Sequence, residues 1–149
     1  GPLQPSRAYA WSPRMDEANR RLRAGLSGAP DVAVTTDQRI WVSLPTAASF
    51  ARGRAALEPA ARGWLDQVAL ALRGHPQAEV QIVATADTGQ RGPNAETLAL
   101  DRAASARDWL VARGIAAPRV GVAALTSRAA AAGGELRVDL LIGERAGAR

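Results

Sequence analysis

Apolar residues recur at steps of three and four between positions 56 and 73, where Leu57, Ala61, Trp64, Leu65, Val68 and Leu72 share one face of a helix. Gly74 and Pro76 end that helix, because neither continues a regular hydrogen-bonded turn well. A second stripe, Ala99, Ala103, Ala106 and Leu110, follows Asn94, whose short side chain suits an N-cap, and Gly114 closes it. A thinner stripe over residues 14–27 (Met15, Ala18, Leu22 and Leu26) predicts a short helix in a mostly polar segment, expected to pack loosely. Strand signals lie between these helices. Residues 32–34 and 40–44 flank a polar turn at 35–39 and predict a hairpin, and residues 79–84, 119–125 and 136–142 predict further strands. The order β-α-β-α-β-β follows, which is an α/β (α+β) two-layer sandwich with the helices on one face of a mixed sheet.

The expected organisation has three parts: a lead-in over residues 1–31, the main domain over 32–143, and a tail over 144–149. The opening Gly1-Pro2-Leu3 reads as the scar of a cleaved fusion tag, and prolines at 2, 5 and 13 predict a flexible stretch before the short helix. The stretch at 129–132 before Gly133-Gly134 suits either a helical turn or a loop.

Composition narrows the chemistry. With no cysteine and one histidine, His75, thiolate zinc sites, disulfides and histidine dyads lack parts, so no metal site and no cofactor are expected. His75 is expected as a cap or exposed residue of a Gly-His-Pro turn. No phosphate loop, dinucleotide fingerprint, nucleophile elbow or zinc-protease motif occurs. Glu58, Asp66, Asp101 and Asp108 lie on helices among arginines and read as solvated charges rather than a general acid and base, so no catalytic residue is expected. The net charge of +5 comes from 19 basic residues, all arginine, and suits an anionic partner. Dispersed arginines and 4% aromatic residues argue against nucleic acid. Trp11, Trp41, Trp64 and Trp109 read as core or partner contacts, and an exposed Trp109 would indicate an interface.

One constellation remains. The run from Phe50 to Pro59, with Gly53, Ala55 and Leu57 in register, resembles the F-x-x-G-S-A-x-L-x-P of OmpA-like cell-wall-binding domains, the module of Pal-type lipoproteins and flagellar stators. Asp87 resembles the aspartate that ends the family's G-H-T-D, and Leu98 and Arg102 resemble the leucine and arginine of N-x-x-L-S-x-x-R-A. Gly114-Ile115 and Arg137-Val138-Asp139 extend the resemblance over roughly residues 32–143. There are departures. Ala86 stands where a hydroxyl residue usually precedes the aspartate, Asn94 lies one residue early, Ala99 replaces the serine, and Leu136 replaces an arginine.

The resemblance implies a non-enzymatic periplasmic domain of an envelope protein whose anchor lies outside this sequence. Its ligand would be the diaminopimelate of a peptidoglycan stem peptide, with Asp87 receiving the ammonium and Arg102 the carboxylate, and with Asn94, Thr85 and Arg137 nearby. Outer-membrane lipoproteins and secretion or motor complexes are the settings it suggests, with envelope proteins or a second copy as further partners. The altered loop leaves open a docking or dimerisation module without wall binding, in which Asp87 and Arg102 form only an ion pair.

Overall fold

The computed structural model describes residues 11–87, 94–126 and 135–145; the segments at 88–93 and 129–132 lie outside the described residues. The chain runs α1 (Pro13–Gly25), β1 (Asp31–Val34), β2 (Ile40–Pro45), α2 (Thr46–Ser49), α3 (Pro59–Arg73), β3 (Ala78–Ala86), α4 (Asn94–Ala112), a 3-10 turn, β4 (Val120–Thr126) and β5 (Arg137–Glu144). The hairpin contributes two strands, so the mixed sheet has five, in the order β1-β2-β5-β3-β4. Strands β3 and β4 are parallel and joined through α4, whereas β5 is antiparallel to both β2 and β3.

Alternation along the strands separates the two faces. Ile40, Val42 and Leu44 of β2, Val80 and Ile82 of β3, and Val138, Leu140 and Ile142 of β5 are buried with Leu65, Val68, Leu72 and Leu110 of the helices. The fold class is therefore the expected one. One residue of the first helical stripe, Leu57, is only half-buried and precedes α3. Pro59 opens that helix and Leu57 forms a β-bridge with Phe50 instead, so Leu57 leaves the helical stripe. Beyond α4, Gly114 has φ +95° and its N–H bonds the Val111 carbonyl, while Ile115 N–H bonds Leu110. This is the left-handed helix ending that glycine adopts at least cost.

The N-terminal helix corrects the expectation of loose packing. Met15 and Leu22 are fully buried, Ala18 and Leu26 nearly so, and α1 packs on α3. Its start is fixed by Ser12, whose Oγ accepts from Met15 N–H at 3.2 Å, followed by Pro13. Ser12 also binds Glu144 at the end of β5, through its hydroxyl and through its N–H at 3.3 Å.

The same carboxylate accounts for His75, which is 1% exposed rather than a surface residue, with Nε2 2.7 Å from Glu144 Oε1. Burial alone would push the Glu144 carboxyl up, but the bonds from Ser12 and His75 outweigh it and hold the group below its usual range. A carboxyl depressed on folding stabilises the fold above its unfolded pKa and loses that contribution as pH falls through the folded value. Acidification below the ordinary carboxylate range should therefore lower the melting temperature more in the wild type than in Glu144→Gln, as melting curves at stepped pH would record.

Candidate functional site

The parallel pair β3 and β4 ends beside the helical layer, the place where open α/β sheets tend to bind ligands. Asp87 is the first residue past β3 and is half-buried. Arg102 stands in the third turn of α4 and is only 8% exposed. Its Nε donates to the Arg54 carbonyl at 2.8 Å and its Nη2 to the Ala51 carbonyl at 3.4 Å. The guanidinium carbon lies 5.2 Å from the centre of the Phe50 ring. Burial pushes the guanidinium's pKa down and the Asp87 charge acts against that, so the two residues expected to pair do share one electrostatic environment. With Nε and Nη2 both engaged by carbonyls of the 51–54 loop, the Arg102 guanidinium is held in place by backbone rather than by a side-chain partner.

The other three expected residues divide by strand alternation. Thr85 lies between Ala84 and Ala86, both buried under the helices, so it belongs to the opposite face of the sheet. Arg137 precedes buried Val138 and is likewise on that open face, where it bonds Ser43 and pairs with Asp31 and Glu135. Neither lies with Arg102 on the helical side. Asn94, expected as a cap, is instead the exposed first residue of α4. Phe50 and the carbonyls of Ala51 and Arg54 are partners that reading side-chain types along the chain misses, because two of the three contacts are to backbone. The signal for them was present as the Phe50 to Gly53 run.

Other features are accounted for by packing. Trp109 is half-buried, its Nε1 donating to Asp66 at 2.8 Å while Arg113 lies 4.2 Å over its ring and bonds the same carboxylate. Asp66 is held below its usual range by that arginine's hydrogen bond, acting against burial, so it is a structural acceptor. Two hollows of ≈ 300 and ≈ 410 Å³ lie around Arg39, Gly143 and Glu144, at the end of the sheet away from Asp87. Arg119, which lines one of them, is occupied by the carbonyls of Leu72, His75 and Ala78.

A mixed five-stranded sheet with helices on one face, carrying a buried arginine on α4 that feels the charge of an aspartate just past β3, defines a two-layer α/β domain. The sequence profile of the OmpA family matches residues 49–136, more than half of the chain, and the protein belongs to that family. Its fold is shared with a MotB-like protein from Desulfovibrio vulgaris, with TM-score 0.71 and 18% identity over 89% of this chain and 90% of that one. It is similar also to the cell wall anchor of the T6SS from Pseudomonas aeruginosa, with TM-score 0.67 and 20% identity over 89% and 99% of the two chains. The periplasmic domain of Helicobacter pylori MotB aligns with TM-score 0.66 at 17% identity, covering 83% of each chain. The sequence matches none of the curated proteins.

Proposed function

We propose that this domain is a non-enzymatic, periplasmic module that tethers an anchored parent protein to peptidoglycan by gripping the diaminopimelate of a stem peptide. The observation that carries the reading is Arg102, buried against Phe50 and hydrogen-bonded to the 51–54 loop, with Asp87 in its field. A zwitterionic amino acid head presents an ammonium and a carboxylate a few ångströms apart, and a carboxylate beside a fixed guanidinium complements both. Fixing Arg102 before the ligand arrives lowers the ordering cost of binding. Family membership and the likeness to a T6SS cell wall anchor support the same reading. Thr85 and Arg137 are assigned no ligand contact in it, since strand alternation puts them on the sheet face opposite the helices, whereas Asn94, at the start of α4, is kept as a further contact.

The domain should co-sediment with diaminopimelate-type sacculi. Asp87→Ala should weaken that binding by about ten- to a hundredfold, roughly 1.4–2.7 kcal/mol, because the ligand's ammonium is left unpaired in a partly desolvated place. Asp87 stands outside the regular strand, so its melting temperature should stay near that of the wild type. A wild-type domain that folds but leaves sacculi in the supernatant would sink the tether and favour a docking module.

A further inference from the structure

We propose that the outer edge of β4, together with the flank of α4 above it, is a self-association surface through which two copies of the chain join their sheets, antiparallel, about a two-fold axis at Ala123. The inference is independent of the wall tether.

β4 closes one side of the sheet, and among the described residues it pairs with β3 alone. Its outer N–H and C=O groups form a row that another strand can extend. Val120–Thr126 contains neither a charged residue nor a proline. Among the described strands the other uncharged one is β2, which lies inside the sheet between β1 and β5. β4 therefore has the composition of an interior strand at an edge position. The opposite edge is protected: β1 is four residues long, begins with Asp31, and Arg23 of α1 donates to its Val32 carbonyl at 3.5 Å.

The helix above continues the surface. α4 packs on β3 and β4, and its Trp109 and Arg113 both bond Asp66 of α3, so that flank of the helix faces α3. At 3.6 residues per turn, Leu100 and Val111 fall on the opposite flank, away from α3 and toward the free edge. Arg107, the charge between them, is already paired with Asp108 at 3.0 Å. Leu100, Val111 and Leu125 are three of the four exposed large apolar side chains among the described residues; the fourth is Leu70 on α3.

A second copy is the partner that fits. Pairing about Ala123 sets Leu125 against Gly121, Val122 against Ala124 and Val120 against Thr126, so large side chains face small ones and, in a chain of net charge +5, no like charges meet. Strands about 4.8 Å apart put the two α4 helices, each lying over β3 and β4, about 10 Å apart, which is helix-packing distance, with their Leu100 and Val111 flanks facing each other. One strand edge and one helix flank per copy make a joint at the small end of specific interfaces, below about 1,200 Å² in total, so the dimer is reversible.

Sedimentation velocity of the full chain should show a monomer–dimer equilibrium in which the dimer gains as concentration rises about a hundredfold. Ala123 meets its own copy on the axis, so Ala123→Arg and Ala123→Asp should each leave only monomer, while an equimolar mixture of the two should restore a dimer. That rescue also shows both variants to be folded at the joint. Leu70→Arg, which places a charge on an exposed apolar position away from the joint, should dimerise like the wild type. A wild type that stays monomeric throughout, or a dimer that persists in both Ala123 variants, would overturn the proposal. So would a mixture that fails to dimerise although both variants keep the wild-type melting transition.

Discussion

Removal of residues 1–27 should abolish the cooperative thermal transition of the remaining domain. The segment contains Met15, Ala18, Leu22 and Leu26, all within the continuous core and packed through α1 on α3. Burying side chains of the Met and Leu kind contributes about 1.5–3 kcal/mol each, so the three larger ones together approach the roughly 5–15 kcal/mol by which a whole domain is stable. The truncation also strips Glu144 of its Ser12 partner and the Gln38 carbonyl of the Trp11 indole N–H, at 2.7 Å. Calorimetry of the truncated chain should show a broad or missing transition. A sharp one at the wild-type temperature would mean that the helix is an appendage.

Leu65→Ala should destabilise the domain by about 2–5 kcal/mol, the range for emptying a fully buried leucine site. Leu65 lies at 0% exposure in the middle of α3 and packs with the sheet and α4 in one cluster. Leu57→Ala should cost visibly less, because Leu57 is half-buried and lies before the helix begins. Denaturant titration of both variants checks the contrast, and similar losses would contradict the boundary of α3 at Pro59.

Periodicity made α3 and α4 legible because each repeats its apolar positions on one face, and that property survives whatever the helix packs against. The same holds for β3 and β5, whose buried residues alternate strictly. The loose packing expected for α1 was wrong for a reason of context. Four apolar residues among many charged ones make a weak stripe, and only the facing surface of α3 gives it something to bury.

At the candidate site, Asp87 and Arg102 could be marked on the chain, since their residue types and spacing carry the resemblance. The separation of Thr85 and Arg137 onto the other face follows from strand parity, whereas the shared environment of Asp87 and Arg102 follows from where the chain leaves β3 and α4 packs back on it. His75 shows the limit most clearly. A helix-ending turn reads as exposed on the chain, yet Glu144, 69 residues away, lies under it and supplies the hydrogen bond that makes its burial tolerable. Local pattern specifies which segments become helix or strand and which face of each is apolar, because those depend on near neighbours. Which polar groups meet depends on chain segments far apart in sequence, and for Arg102 that meant two backbone carbonyls that no residue type announces.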